Sequence, residues 1–452
     1  MASGEKSVPA WPSGQIEITR DQSYAQWMNH NLLERRLRAL GPAYRLFYEN
    51  PVHLVRGEGA WLWDAEGRRY LDCYNNVASV GHCHPRVVEA LQRQASTLNT
   101  HTRYLHENVV QYAERLGALL PGELNTCMFV CTGTEANDLA FRIARTVTGN
   151  EGAIVLDHAY HGNSMVVAEL STSDYPTEQQ PDYLETVEAP DTYRGSIGPD
   201  EPYVGKKYAG RVDGAIGALA ERGCQPAIFI TDNIYSSSGI LTPPPEYLKS
   251  AYAKVRAAGG LAIADEVQSG LCRLGDHWWG FEDSDVLPDI VTMGKPMGDG
   301  HPLAVVVTKA EIAEVFARRF DYFNTFGGNP VSAAVGMAVL DVIEEESIQR
   351  NVLEVGAYLA NGLHSLADRH ECIGDVRGKG LFYGVEIVRD RATKEPWAEE
   401  GARIREHLRD NGILLSVTGP LNNVMKIRPP MVFSKENADR LLQGLEQALV
   451  VG

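Results

Sequence analysis

The sequence predicts an α/β protein with a large domain built on a mostly parallel sheet and a smaller α+β domain. Between about residues 85 and 310, short apolar runs rich in Val and Ile alternate with helix-length segments, and the apolar residues in each run are continuous. Such runs are typical of parallel strands that helices cover on both faces. After about residue 336, helices and strand-like stretches follow that are typical of an α+β arrangement.

The elements divide the chain into three predicted parts. Residues 1–75 form an N-terminal arm, with one helix around SYAQWMNHNLLERRLRAL, and a small-domain segment with two short strands in AWLWDAEGRRYLDC. Residues 76–335 form the large domain, and residues 336–452 form the small domain around IGDVRGKGLFYGVEIV and VMKIRPPMVFS. The large-domain strands are expected at CMFVC, GAIVLDH, PAIFITD, GGLAIADE, DIVTMGK and LAVVVTK.

The amino-acid composition limits which binding partners and which cellular compartment suit this chain. The chain has 452 residues, 44% of them hydrophobic, and a formal net charge of −17, which argues against a nucleic-acid or anionic-membrane partner. No apolar run reaches membrane-spanning length, and the N-terminus lacks the apolar region of a signal peptide. The seven cysteines form no CxxC pair, so we expect a reducing, cytoplasmic compartment and no metal site.

Four predicted strands end in residues that suit a ligand. One strand leads into Gly133 and Thr134 at the start of a helix, another into Tyr160, and two more into Asp265 and Lys295. In an open α/β sheet, ligands bind at the carboxyl ends of the strands. Each feature also has a structural alternative, such as a tight connection or a helix cap. Their combination predicts a ligand site.

The chemistry of this set points to one cofactor. Glycine amides and the Thr134 hydroxyl at a helix N-terminus suit a phosphate, and Tyr160 can stack on a flat ring. A buried Asp265 carboxylate needs a cation such as a protonated pyridine nitrogen. Burial lowers the pKa of a lysine, which makes Lys295 a nucleophile for an aldehyde. A phosphate, such a ring and an aldehyde together describe pyridoxal 5′-phosphate.

Five motifs resemble those of the class III, fold type I, PLP-dependent aminotransferases. They are CTGTEANDLAFRIAR, DHAYHG, IADEVQSGLCRLG, VTMGKPMGDGHPLA and FNTFGGNP, in the family's order and spacing from about residue 45 to the end. The resemblance implies the PLP-dependent transferase fold type I. It also implies a homodimer, or a dimer of dimers, in which the active site is shared between subunits.

The resemblance implies a role for each matching residue. Lys295 carries the cofactor and, once displaced, acts as the base, while Asp265 pairs with the pyridine nitrogen. Thr325 of a second subunit reaches the phosphate. The other implied cofactor contacts are Val267 and Tyr160 on the two ring faces, Gln268 at the phenolic oxygen, and Gly133 and Thr134 at the phosphate.

Two departures from the aminotransferase pattern bear on the reaction. Members acting on amino acids carry a stretch like E-P-x-x-G-E-G-G where this chain has FITDNIYSSSGIL, so Ser237 stands at the second glutamate. In the family that glutamate can neutralise a substrate-binding arginine, whose counterpart here is Arg428 in MKIRPPM. Arg428 is therefore expected to remain a forked cation that suits a carboxylate or a phosphate. Alternatively, another acid or a structural ion pair neutralises it.

The second departure lies in YLDCYNNVASVGHCHP and LNTHTRYLHENVVQYAERL. These segments supply Asn76, whose amide can donate to an anion, and Arg103, a second candidate cation near the cofactor cleft. Alternatively, Asn76 only forms a turn and Arg103 only lies on a solvent-exposed face, and neither binds an anion. The segments resemble the ethanolamine-phosphate phospho-lyases and the 5-phosphohydroxylysine phospho-lyases most, and the alanine–glyoxylate aminotransferases less closely.

The resemblance thus implies a carbon–oxygen lyase that converts O-phosphoethanolamine to acetaldehyde, ammonia and inorganic phosphate. The small amino-phosphate is expected to bind at Arg428, Arg103 and Asn76. Two enzymatic alternatives stay open, namely a class III aminotransferase with a 2-oxo acid acceptor and a 5-phosphohydroxylysine phospho-lyase. A non-enzymatic binding protein is disfavoured because the cofactor set is complete.

Overall fold

The computed structural model describes residues 32–174 and 180–450, and the chain divides into two units after Pro51. In the first unit, a helix spans Leu32–Leu40, with Glu34 in its first turn and Arg38 in its last turn, where each charge complements the helix dipole. The rest of the predicted arm helix lies outside the described residues.

The helices and strands have the following bounds. The strands are β1 (Leu54–Glu58), β2 (Trp61–Asp64), β3 (Arg69–Asp72), β4 (Leu124–Val130), β5 (Gly152–Leu156), β6 (Leu184–Val187), β7 (Pro226–Asp232), β8 (Leu261–Asp265), β9 (Ile290–Met293), β10 (Ala304–Lys309), β11 (Ile373–Lys379), β12 (Phe382–Asp390), β13 (Glu395–Pro396), β14 (Ile413–Leu414), β15 (Ser416–Thr418) and β16 (Val424–Ile427). The helices are α1 (Leu32–Leu40), α2 (Pro85–Ala95), α3 (Glu107–Ala118), α4 (Gly133–Thr148), α5 (Met165–Glu169), α6 (Val204–Glu221), α7 (Tyr247–Ala257), α8 (Ala310–Ala317), α9 (Pro330–Glu345), α10 (Ile348–Arg369), α11 (Ala398–Asp410) and α12 (Lys435–Val450).

A seven-stranded sheet in the order β4-β10-β9-β8-β7-β5-β6 forms the centre of the second unit. Six strands run in one direction, so the predicted mostly parallel sheet is confirmed. Only β10 is reversed, antiparallel to both β4 and β9. Ten residues join β9 to β10, and a parallel crossover needs a dozen or more, so the chain can return only antiparallel.

Helices cover both faces of this sheet, which explains why its strands are continuously apolar. Ala153 and Val155 of β5 pack in one core cluster with the buried face of α4. Ile154 and Leu156, which alternate with them, pack in another cluster with α6 and α7. The carboxyl ends of the strands stay open to carry the site.

Two smaller sheets flank the central one. In the first, of order β1-β2-β3-β14, β14 pairs in parallel with β3, so a segment near residue 70 lies beside one near residue 413. The second has the order β11-β12-β16-β15, with β13 on β12. The domain boundaries at residues 75 and 335 stay predictions. No helix within the described residues is long and apolar enough to cross a membrane.

Candidate active site

A cleft of about 320 Å³ opens at the carboxyl end of the central sheet. The turns that follow β4, β5, β8 and β9 form its walls, because the ends of parallel strands meet at one edge. The structure brings seven of the predicted cofactor residues together here. They are Gly133, Thr134, Tyr160, Asp265, Val267, Gln268 and Lys295.

Asp265, at the end of β8, is the buried carboxylate of the cleft, with 3% of its surface exposed. Its Oδ2 atom accepts a hydrogen bond from Asn137 Nδ2 at 2.9 Å and lies 2.8 Å from His161 Nδ1. Its Oδ1 atom accepts from the Val267 amide at 3.1 Å. These contacts fix the carboxylate in one orientation.

A second layer of contacts holds the partners of Asp265. Asn137 Oδ1 accepts from the Thr292 hydroxyl at 2.6 Å, and Asn137 Nδ2 also donates to the His161 carbonyl at 2.7 Å. Asn137, His161 and Thr292 are site residues for which the sequence predicts no role. One signal could have revealed Asn137, since it is a polar residue on the otherwise apolar face of α4.

The N-terminus of α4 lies at the cleft and presents backbone amides that can donate hydrogen bonds to a ligand. A capping box joins Thr132 and Glu135: the Thr132 hydroxyl accepts from the Glu135 amide, and the Glu135 carboxylate accepts from the Thr132 amide. The amides of Gly133 and Thr134 have no acceptor among the described residues. A side chain at Gly133 would place its Cβ atom 2.9 Å from Val267 Cγ2. Glycine therefore keeps this end of the cleft open.

Lys295 follows β9 and adopts a left-handed backbone conformation with φ +28°. The backbone approaches α4 closely just before it, because a Cβ atom at Gly294 would lie 3.1 Å from the Gly133 nitrogen. Burial lowers the pKa of the Lys295 amine to about 8, and the charge of Arg428 adds to this effect, while Asp265 and Asp232 oppose it. Roughly a tenth of this amine is therefore neutral at pH 7, far more than for an ordinary lysine.

Glu266, beside Asp265, is a buried carboxyl that is not among the residues lining the cleft. It accepts four hydrogen bonds: from the Asn233 amide group, the Ser269 hydroxyl, and the backbone amides of Gly280 and Phe281. Burial raises its pKa to about 7. Glu266 thus connects the segment that follows β8 to Asn233 and to the backbone at residues 280–281, and these hydrogen bonds stabilise that segment.

Gln268 links the cofactor residues to the predicted substrate residues. Its Oε1 atom accepts from Asn76 Nδ2 at 2.8 Å and also from Arg428 Nη1. Asn76 is 1% exposed, and its Oδ1 atom is buried without a hydrogen-bond partner in the described part of the chain. The structure therefore places Asn76 and Arg428 next to a cleft residue.

The Arg428 guanidinium is buried, with 4% of the residue exposed. Its Nε atom donates to the Tyr74 carbonyl at 3.1 Å, and its Cζ atom lies 4.8 Å from the centre of the Tyr74 ring. Burial lowers its pKa. Within residues 32–174 and 180–450 no carboxylate pairs with it, and Ser237 contributes none of its hydrogen bonds. A charge without an ion-pair partner thus lies beside the cleft.

Two predicted residues lie away from the cleft. Arg103 is exposed and stacks on Phe323, with its Cζ atom 3.9 Å from the ring centre. Thr325 is also exposed and does not line the cleft of its own chain. Of the three predicted substrate residues, the structure therefore brings only Asn76 and Arg428 to the site.

The residues of the cleft fit pyridoxal 5′-phosphate. Amides without acceptors at the start of α4 suit its phosphate, and the anchored Asp265 carboxylate suits its ring nitrogen. The Gly133 position, which a methyl group would fill, leaves room next to Val267. A partly buried lysine amine with a pKa of about 8 suits its aldehyde.

Fold and site together define a PLP-dependent enzyme of fold type I, and comparison with known proteins specifies the family. The model of the class III aminotransferases matches residues 47–449. The chain belongs to this family, and its cofactor is pyridoxal 5′-phosphate.

Relatives within the family carry two kinds of name. An "alanine–glyoxylate aminotransferase 2-like" protein of Drosophila melanogaster is 44% identical over 92% of this chain and 86% of its own. An "ethanolamine-phosphate phospho-lyase homolog 1" of Caenorhabditis elegans is 38% identical over 93% of both chains. A solved phospholyase from Arthrobacter in complex with phosphoethanolamine superposes with a TM-score of 0.90, at 43% identity over 93% of this chain and 99% of its own.

These values correct one expectation. The alanine–glyoxylate aminotransferases were expected to resemble the chain less closely than the phospho-lyases, yet the Drosophila relative has the higher identity of the two curated proteins. Overall identity is dominated by the shared scaffold, whereas the substrate is selected by a few side chains. The reaction must therefore be argued from the pocket.

Proposed function

We propose that the chain is an ethanolamine-phosphate phospho-lyase, which converts O-phosphoethanolamine and water to acetaldehyde, ammonia and inorganic phosphate. The observation that carries this proposal is the buried Arg428 guanidinium, which has no carboxylate partner among the described residues and is hydrogen-bonded to Gln268 of the cleft. Because no acidic side chain among the described residues neutralises Arg428, its positive charge can pair with the substrate. A substrate with a permanent negative group, such as a phosphate, matches this charge. The solved phospholyase with phosphoethanolamine supports this reading.

Pyridoxal 5′-phosphate, when bound, holds the substrate amine and accepts the electron pair released from the neighbouring carbon. The chain supplies the proton chemistry around it. Asp265, fixed by Asn137 and His161, keeps a proton on the ring nitrogen. The Lys295 amine, whose pKa is lowered to about 8, removes the proton from the carbon that bears the amine.

Arg428 acts at the other end of the substrate. As the carbon–oxygen bond breaks, its electron pair leaves with the phosphate group, and the guanidinium stabilises this growing negative charge. Asn76 and Arg428 both donate to Gln268 Oε1, so this shared acceptor positions both residues. An aminotransferase needs no such leaving-group stabilisation.

A phosphate-release assay tests the proposal. Purified holoenzyme is incubated with phosphoethanolamine, and inorganic phosphate and acetaldehyde are measured in parallel, with 5-phosphohydroxylysine as a second substrate. Equal amounts of both products from phosphoethanolamine are expected. Phosphate released only from 5-phosphohydroxylysine would assign the chain to the second lyase class, and no release from either would refute the proposal.

A class III aminotransferase is the second candidate, favoured by the name of the Drosophila relative. This candidate predicts that alanine and glyoxylate are converted to pyruvate and glycine, with no phosphate-dependent step. Measurement of pyruvate formation with the same enzyme preparation decides between the two reactions.

We propose a homodimer as the working assembly, in a cytoplasmic location. Thr325 is exposed and outside the cleft of its own chain, so only a second copy can bring it to a phosphate there. Analytical ultracentrifugation tests the assembly. In addition, Thr325→Ala should weaken cofactor binding in the dimer, and unchanged cofactor affinity would remove Thr325 from the site.

A further inference from the structure

Asp299 is a carboxyl group that the proposed mechanism does not use. It follows the short turn that begins at Lys295 and precedes Gly300, which lines the cleft. Its Oδ1 atom accepts a hydrogen bond from the Val80 amide at 3.0 Å. Burial raises the pKa of the Asp299 carboxyl to about 7, while the Val80 amide and the charge of His82 oppose this effect. Within the described part of the chain no cation forms an ion pair with it, so the Val80 contact is the one through which Asp299 can act.

Val80 belongs to residues 72–82, the asparagine loop, which brings two residues to the site. Val77 lines the cleft, and Asn76 Nδ2 donates to Gln268 Oε1 at 2.8 Å. The loop thus reaches the cofactor residues directly, and its position determines where Asn76 meets Gln268.

Asp72 fixes the shape of the asparagine loop. Its Oδ1 atom accepts from the amides of Tyr74 and Asn75, and its Oδ2 atom lies 2.7 Å from His82 Nε2. The first turn of the loop is therefore formed around this carboxylate, and the two ends of the loop are joined. Because the ends are joined, a change in the contact at Val80 is transmitted to the rest of the loop.

Two hydrogen bonds join the asparagine loop to residues 295–299, the lysine turn. The Ser79 hydroxyl donates to the Pro296 carbonyl at 2.8 Å, and the Val80 amide donates to Asp299 as described. Ser79 and Val80 are both fully buried. Without these acceptors their donors would stay unpaired, since water does not reach them. The loop is therefore held against the lysine turn at two adjacent positions.

We propose that Asp299 is a positioning residue that, through the asparagine loop, holds Asn76 against Gln268 in the cofactor site. Asn76 and Arg428 both donate to Gln268 Oε1, which leaves the Gln268 amide group to donate to a ligand in the cleft. Asp299 itself touches neither cofactor nor substrate in this role. The inference concerns the cofactor site, so it applies to either candidate reaction.

The affinity of cofactor-free protein for pyridoxal 5′-phosphate, measured by spectrophotometric titration, tests the inference. Asp299→Gly removes the carboxyl and suits the left-handed backbone, whose φ is +46°, and it should weaken binding by about 10-fold. Asp299→Ala should act in the same direction. Asp299→Asn keeps an oxygen that can accept from the Val80 amide, so its affinity should stay within about threefold of the wild type. Equal affinities for Asp299→Gly, Asp299→Ala and the wild type would overturn the inference.

A double-mutant cycle separates positioning from a general loss of stability. If Asp299 acts through Asn76, Asp299→Gly should change cofactor affinity by less than about twofold in protein that already carries Asn76→Ala. A loss of about 10-fold in both backgrounds would refute the role, because Asp299 would then act independently of Asn76.

Asp289→Ala is the matched control. Asp289 is also a buried carboxylate that accepts a backbone hydrogen bond, from the Ala262 amide at 2.9 Å, but it precedes β9 whereas Asp299 follows it. Its removal should lower the free energy of unfolding in urea and leave cofactor affinity within about twofold. If Asp289→Ala weakens cofactor binding as much as Asp299→Gly, the effect is general and the inference is wrong. Because no substrate is present in these titrations, the result does not depend on which reaction the chain catalyses.

Discussion

The lowered pKa of Lys295 makes its amine unusually reactive, and this can be measured directly. With a pKa of about 8, roughly a tenth of the amine is neutral at pH 7, against about one part in three thousand for an ordinary lysine at 10.5. In cofactor-free protein, an amine-directed acylating reagent should therefore label Lys295 with a midpoint near pH 8. Mass spectrometry of digests at several pH values gives the midpoint.

The same protein contains its own control. Lys206 is exposed and paired with Glu246, and that ion pair raises its pKa, so its labelling should rise only above pH 10. Because the charge of Arg428 is the second cause of the lowered pKa of Lys295, Arg428→Met should shift the Lys295 midpoint to higher pH. A Lys295 midpoint at or above that of Lys206 would refute the reasoning.

This shift has a consequence for stability. A lysine whose pKa is lower in the folded than in the unfolded chain destabilises the fold at every pH below about 8, and the effect disappears as pH rises toward 10.5. The difference corresponds to roughly 3 kcal/mol. Lys295→Met should therefore increase the free energy of unfolding of cofactor-free protein at pH 7 by up to that amount and have little effect near pH 11. Urea unfolding measures both.

Three further substitutions test other parts of the site. Asp265→Asn removes the charge opposite the ring nitrogen and should lower kcat by about 100-fold or more in the phosphate-release assay, with an unchanged fold by circular dichroism. Glu266→Ala leaves four buried donors without an acceptor and should lower the free energy of unfolding by roughly 3–5 kcal/mol; a loss below about 1 kcal/mol would contradict the stabilising role. Gly133→Ala brings a methyl group within 2.9 Å of Val267 and should weaken cofactor binding in a spectrophotometric titration, whereas Gly214→Ala, with open space around it, should not.

Much of the fold could be predicted because the physical cause is visible in the sequence. Strands such as β5 and β8 are buried on both faces, so their residues are continuously apolar. The reversal of β10 leaves no such trace, since β10 is as apolar as its parallel neighbours. Only the short connection from β9 limits its direction.

The residues at the strand ends were predictable for a similar reason, and their partners were not. Asp265 and Lys295 follow apolar runs directly, so the topology places them at one edge. His161 and Asn137 reach Asp265 across the fold, from other elements, and hydrogen bonding of this kind has no fixed spacing in sequence. The burial of Arg428 was equally hidden, because arginine is among the residue types least often found fully buried.

The ten residues between β9 and β10 also limit how this chain can vary. Both flanking strands are held in the interior of the central sheet, and Lys295 lies within the first residues of the connection. Residues 296–298 near its start are buried, so a residue inserted beside Lys295 must either displace the lysine or shift a strand register by one position and turn its side chains to the opposite face. We therefore expect a library of single-residue insertions to be depleted across residues 294–298 and enriched around the exposed Gly300 and in longer surface connections such as residues 188–203.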